Sequence, residues 1–319
     1  MSNKKFKTEY IILILVVVFS LFYLIFRQNN RINYKLPQLK PLKISKIDKI
    51  VIKNSENSII LKKEGEEWRV GDENYKADKD SVDKIIKDIS ELNIVTLVSQ
   101  RKNYNLYELD GSNKIDVKAF SGNTSMREFL IGKVASTYDH TFVKLAKDPN
   151  VYQAEGSIKD DFSKSIDDMR DKTILSVNKN DITSIKIVKG NDEYLIKKEI
   201  NSKIDAKSKD KKESVEVSWK LDNKKLDKAK LESLLNRFVS LDCSSFIYDK
   251  DKNDLKLENP IYSVELITPG KTFSVKIFKR KEKDKGEYPA ITSESKYYFF
   301  LNAYSAEQIM KDPKDFIVK

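Results

Sequence analysis

A five-position apolar stripe occurs twice in this chain: Val82, Ile85, Ile86, Ile89, Leu92, and again Leu231, Leu234, Leu235, Phe238, Leu241, every pair 149 residues apart. Each stripe follows i, i+3, i+4, i+7, i+10, which lines one face of an α-helix. Asp78 and Asp227 stand four positions ahead, where a carboxylate can cap the first turn. Upstream, Ile47, Ile50 and Ile52 followed by Ile59–Glu64 read as a β-hairpin, and Ile182, Ile185 and Ile187 followed by Tyr194–Glu199 repeat it at an offset of 135. The only two Trp residues, Trp68 and Trp219, fall at matching points between hairpin and helix. A hairpin, a Trp and a helical stripe recurring in order imply a tandem duplication.

Each helix is followed by short runs that alternate or are rich in β-formers. In the first copy these are 94–99, 115–120, 128–132, 141–146 and 151–153; in the second, 244–248, 261–268, 272–279, 290–292 and 297–301. Asp110-Gly111, Ser121-Gly122-Asn123 and Thr268-Pro269-Gly270 punctuate them as turns. A short amphipathic helix is expected at each end, over 158–169 and 305–310. The predicted fold class is therefore α+β: a single N-terminal transmembrane helix, then two tandem repeats, each a mostly antiparallel sheet with one main amphipathic helix. The repeats are predicted over 44–174 and 175–319. The second carries a charged, mobile insertion over 200–213, and a charged hairpin tip over Lys279–Lys285.

The N-terminus supports the membrane part of that prediction. Residues 10–26 form an uncharged apolar run, with Tyr10, Tyr23, Lys7 and Arg27 suited to the interfaces. The run ends in bulky residues with no small-x-small cleavage site, so an uncleaved anchor is preferred to a signal peptide. The expected organisation is a cytoplasmic tail over 1–9, an anchor meeting membrane lipid over 10–26, and a tether over 27–43. The flanks are nearly balanced, Lys4, Lys5 and Lys7 against Arg27, Arg31, Lys35 and Lys40. A single-pass cell-membrane protein with an extracytoplasmic body is expected.

Composition limits the chemistry. The chain has one His and one Cys in 319 residues. A zinc site needs three or four such ligands, and a His-based triad could use only His140. Cys243 has no partner for an intramolecular disulfide. The net charge is +11, but more than half of the excess lies in residues 1–42. That favours anionic lipid head groups over nucleic acid, and no nucleic-acid partner is expected.

Individual motifs are weak. Leu130-Ile131-Gly132-Lys133 has too few glycines to cradle a phosphate and reads as a strand reaching a turn. Asp249, Asp251, Asn253 and Asp254 resemble the start of a calcium loop, but Asp254 and Pro260 stand where Gly and Glu are needed; Glu258 could ligate only in a looser loop. Asp167, Asp168 and Asp171, with Arg170 and Lys172, read as an ion-pair network. His140 beside Asp139 reads as structural. Trp68 and Trp219 read as core residues rather than a sugar-stacking platform. No catalytic, cofactor-binding or metal-ligating residue is assigned, and no enzyme activity or cofactor is expected. Tyr297, Tyr298, Phe299 and Phe300 alternate along one strand, so two rings face the core and two face outward as a candidate partner surface.

Trp68-x-Val70, Tyr75-x-Ala77-Asp78, Leu106-Tyr107-x-Leu109-Asp110, Leu130-Ile131-Gly132-Lys133, Val151-Tyr152 and Met169-Arg170-Asp171-Lys172 occur in order after a single N-terminal anchor. This pattern resembles the bacterial membrane-anchored proteins grouped as domain of unknown function 4340, over roughly residues 45 to 310. Members are often encoded beside an ABC-type ATPase, its permease and a protein similar to gliding-motility transporter subunits. The resemblance implies a non-catalytic extracytoplasmic accessory protein of an ABC-type system, with a permease or accessory subunit as partner. It supplies no catalytic residue. A structural scaffold in another envelope assembly, such as division or secretion machinery, is the alternative. The cleft between the copies is the expected ligand site.

Overall fold

The computed structural model describes residues 8–29, 34–55, 57–204, 213–248, 252, 255–281 and 286–318. The chain divides into two compact units, Met1–Met169 and Arg170–Lys319.

The first unit begins with helix α1 (Thr8–Asn29). Strands β1 (Lys49–Lys53), β2 (Ser58–Glu64), β3 (Glu67–Val70) and the two-residue β4 (Tyr75–Lys76) form a meander, followed by α2 (Lys79–Ser90). Then come β5 (Ile94–Ser99), β6 (Ile115–Ser121), β7 (Thr124–Val134), β8 (His140–Leu145), β9 (Val151–Glu155) and the single-turn α3 (Lys159–Phe162). The strands join into one nine-stranded antiparallel sheet, ordered β4-β3-β2-β1-β6-β7-β8-β9-β5. The order explains the helix: α2 leaves β4 at one edge and must deliver the chain to β5 at the other. It therefore crosses a sheet face and buries its apolar side there. Val82, Ile85, Ile86 and Ile89 join Ile50, Ile52, Leu61, Val117, Phe129 and Ile131 in a single core. Asp78 caps the helix by accepting from the Ser81 N–H at 2.8 Å.

The second unit opens with β10 (Thr173–Leu175), then β11 (Ser184–Lys189), β12 (Asp192–Ile204), β13 (Glu213–Leu221), β14 (Lys224–Lys225) and α4 (Lys228–Val239). β15 (Leu241–Asp242), β16 (Ser245–Phe246), β17 (Tyr262–Thr268), β18 (Lys271–Ile277), β19 (Glu287–Thr292), β20 (Phe299–Asn302) and α5 (Ala303–Ile309) complete it. Its nine-stranded sheet runs β14-β13-β12-β11-β17-β18-β19-β20-β16, and β10 pairs with β15 in a separate two-stranded sheet. α4 makes the same edge-to-edge crossing, burying Leu231, Leu234, Leu235 and Phe238. Asp227 caps it through the Ala229 and Lys230 N–H groups at 2.9 and 3.2 Å.

Two features of the predicted fold class are overturned. The chain is mostly antiparallel β-sheet with few helices, rather than α+β: each large sheet of nine strands carries a single helix of 12 residues. The predicted stripes overran the helices, for Leu92 and Leu241 lie beyond the last helical residues. The helix expected over 158–169 breaks into α3 and a 3₁₀ turn at Asp167–Met169. The second correction concerns the membrane. Among the described residues no helix is long and apolar enough to cross one. The side chains described in α1, Tyr10–Leu24, are exposed. The predicted anchor over 10–26 is withdrawn.

Residues 34–43 lie against the first unit: Leu36, Leu39 and Leu42 pack on its core. Residues 30–33 of the predicted tether fall outside the described residues, as do 205–212 of the predicted insertion. The flanks of that insertion are strand, paired out to Ile204 and Glu213.

Candidate functional site

The four aromatic residues chosen from sequence lie at one edge of the second sheet. Phe246 pairs with Phe299 and Ser245 with Phe300 across β16 and β20; Pro289 lies opposite Phe300 on the other side. Alternation decides their roles. Phe299 is fully buried, and Tyr297 packs on the same core just ahead of the strand. Tyr298 and Phe300 point the other way and are half-buried. Tyr298 tilts against Phe278 with centroids 5.8 Å apart, and Lys252 Nζ stands 5.4 Å from its ring. Tyr248, more exposed, follows β16.

Sequence reasoning missed the cation inside this edge. The Arg170 guanidinium lies 3.3 Å over Phe246 and 5.3 Å from the Tyr297 ring. Phe246 and Tyr297 meet edge to face at 6.4 Å. Arg170 is 3% exposed, so this stacking takes place without competing water, where a cation–π contact is strongest. Arg170 and Phe246 are 76 positions apart, and no local spacing signals their meeting.

The remaining sequence candidates are placed as follows. Gly132 is needed for packing: a Cβ there would come within 2.1 Å of the Tyr107 carbonyl oxygen. That close approach accounts for the Gly of Leu-Ile-Gly-Lys. His140 starts β8, half-buried, opposite Glu155. Trp219 belongs to the core of its unit and Trp68 packs against the core of its own. Asp168 accepts from the Ser165 hydroxyl at 2.7 Å, a local turn contact. Asp249, Asp251, Asn253 and Asp254 lie outside the described residues, and Glu258 is exposed. Among the described residues no group of three or more His, Cys, Asp or Glu could hold a metal ion. Cys243 is buried, and burial pushes its thiol up to about 11, leaving it a poor nucleophile at neutral pH.

A second, polar feature occupies the first unit. A cavity of about 180 Å³ is lined by Lys87, Asp88, Glu91, Leu92, Asn93, Glu155 and Ile158. Asn93 donates from its side-chain amide to Glu155 at 2.9 Å. Behind the cavity wall, Asp161 on α3 is paired with Lys84 on α2 at 2.9 Å. Asp88, one turn along α2 from Lys84, meets the same carboxylate. Burial, reinforced by the Asp161 charge, raises its carboxyl to about 6. Asp88 and Asp161 are 73 positions apart, so this pairing too was invisible to motif spacing.

Two nine-stranded antiparallel sheets of equivalent strand order, each crossed by one capped helix, define a two-unit β protein. Its aromatic cluster and small acidic cavity each lie within one unit. The family described as Domain of unknown function (DUF4340) matches residues 68–260. That is more than half of the chain, and the chain belongs to this family. No curated protein and no solved structure matches it.

Proposed function

We propose that this chain is a non-catalytic, extracytoplasmic accessory protein of an ABC-type transport system, and that it acts by binding a partner subunit. The observation behind this reading is the edge of the second sheet. There Tyr298 and Phe300 are half-buried beside Lys252 and Tyr248, over a layer pinned by Phe299 and the Arg170–Phe246 stack. Rigid aromatic side chains lose little conformational entropy on docking and dominate binding energies at interfaces. A rigid β-scaffold holding such a group suits recognition, and the family resemblance supplies the transport context.

A photo-crosslinking amino acid placed at Tyr298 in the native host tests this directly. Adducts with a permease or its accessory subunit are expected, and they should vanish with the probe moved to Lys189, on β11 in the interior of the same sheet's strand order. Adducts confined to division or secretion components would replace the transport reading with the scaffold alternative. Location is tested separately with Tyr138→Cys, since Tyr138 is 77% exposed and buried Cys243 gives no background. A membrane-impermeant thiol reagent should label it in intact cells, with any outer membrane permeabilised. Labelling only after lysis would defeat the extracytoplasmic assignment.

A further inference from the structure

We propose that Asp88 and Asp161 share one proton, that this proton clasps α3 onto α2, and that its loss to solvent at rising pH releases α3.

The geometry carries this reading. Asp161 is 7% exposed and its Oδ1 is held by Lys84 Nζ at 2.9 Å. That ion pair gives the Asp161 carboxyl a cationic partner. Asp88 makes a side-chain contact with Asp161. Its Oδ2 is shut off from solvent and finds no hydrogen-bond donor among the described residues. Two carboxylates are both acceptors, so a contact between them is a hydrogen bond only when one carries a proton. With the proton on Asp88, the pair becomes an O–H donor facing a carboxylate, the stronger charge-assisted kind of bond. Without it, two like charges meet in a partly desolvated place.

The surrounding charges do not cancel the effect. On α2, Lys84 is committed to Asp161, and Lys87 and Glu91 line the cavity with opposite signs. On α3, Asp160 adds a second negative charge near Lys84, while Lys159 is paired with Glu108 at 2.7 Å. From β9, Glu155 faces the cavity and accepts from Asn93. From β7, Arg127 gives its donors to the carbonyls of Ile89, Ser90 and Lys40 rather than to either Asp.

The consequence is local because α3 is a single turn of four residues. Beyond this polar clasp it is held by the Lys164 ammonium on Ser81 at 2.9 Å and by Phe162 packed edge to face on Phe129 at 6.3 Å. The folded chain holds the Asp88 proton more tightly than the unfolded chain does. Its stabilising contribution is therefore complete below pH 4 or so, and is lost as pH rises through about 6.

Hydrogen exchange of the full chain, read by mass spectrometry over 158–163 and corrected for the intrinsic pH dependence of exchange, tests the clasp. Wild-type protection should fall about tenfold between pH 5 and pH 7, equivalent to roughly 1.4 kcal/mol. Asp88→Asn carries a permanent donor and should show no such fall. A flat wild-type profile, or an unchanged fall in Asp88→Asn, would overturn the proposal. Should Asp88→Asn not fold, Lys84→Met serves, because Lys84 is exposed and favours the ionised form of Asp88. It should move the fall to higher pH, and a fall that stays in place or moves lower would refute the shared proton.

Discussion

In the first unit, the Leu42 N–H donates to the Ser90 carbonyl at 3.1 Å; in the second, the Val177 N–H donates to the Phe238 carbonyl at 2.9 Å. Leu42 and Val177 are 135 positions apart, the offset of the hairpins that follow them. In both units the entering segment is thus fastened to the C-terminal end of the crossing helix, where carbonyls lack helical partners. The remaining acceptors are satisfied differently. In the first unit Arg127, 8% exposed, reaches from β7 and donates to the carbonyls of Ile89, Ser90 and Lys40. A buried cation at a helix C-terminus also opposes the negative end of the macrodipole.

The corresponding residue of the second unit is Phe273. Ile50 pairs with Ala119, which faces Arg127, and Ile185 pairs with Leu266, which faces Phe273. Phe273 has nothing to donate. Main-chain pairing of β10 with β15 takes over, with the Thr292 hydroxyl on Ile174 O at 2.7 Å and the Ser176 hydroxyl on Val239 O at 2.8 Å. A fold dictates where backbone acceptors are stranded. It leaves open whether a charge, hydroxyls or another strand satisfies them.

Four pairs of substitutions separate what the units share from what they do not. Each unit holds one Trp, so Trp68→Phe and Trp219→Phe backgrounds report urea unfolding of one unit at a time. The largest effect is shared. Ile86→Ala and Leu235→Ala, both 3% exposed in matching helices, should each cost about 2–5 kcal/mol in their own unit. A loss in one unit alone would break the equivalence of the two crossings.

The next effects belong to the first unit. Gly132→Ala should cost about 3 kcal/mol, because the new Cβ meets the rigid Tyr107 carbonyl rather than a mobile side chain. The register places Phe278 at the corresponding position of the second unit, so Phe278→Leu should be tolerated far better. A negligible loss in Gly132→Ala would show that the close approach there is relieved by loop movement. Arg127→Met should cost about 2 kcal/mol by leaving buried carbonyls without donors, whereas Phe273→Met should change little. A neutral Arg127→Met would mean that the Leu42–Ser90 hydrogen bond and the packing of Leu36, Leu39 and Leu42 hold the 34–43 segment without it. The smallest effect is shared again: Asp78→Ala and Asp227→Ala should each cost about 1 kcal/mol as lost N-caps, and a silent Asp227→Ala would show that its helix end is satisfied otherwise.

Local features were legible because they depend on neighbours a few residues away. The buried stripe Val82, Ile85, Ile86 and Ile89 and the caps at Asp78 and Asp227 are periodic or positional signals. The strand at 94–99 has the bounds read from its composition. The fold class was misjudged where local signal is poor. Two-residue strands such as β4 and β14 have no period to detect, and the amphipathic pattern over 158–169 carried no sign that the helix would break after one turn. The 10–26 run was apolar along its length, but among the described residues no helix is long and apolar enough to cross a membrane.

Sequence alone determined the duplication signal, the two crossing helices with their caps, and the shortage of His and Cys that restricts the available chemistry. Tertiary structure alone decided that β5 and β16 sit at the far edges of their sheets, that Arg127 and Phe273 take opposite roles at one register position, and that Arg170 lies over Phe246. It alone brought Asp88 against Asp161. Periodicity records which face of an element is apolar, but not which distant element will cover it. That choice is made when closing a long loop is repaid by burying both faces at once.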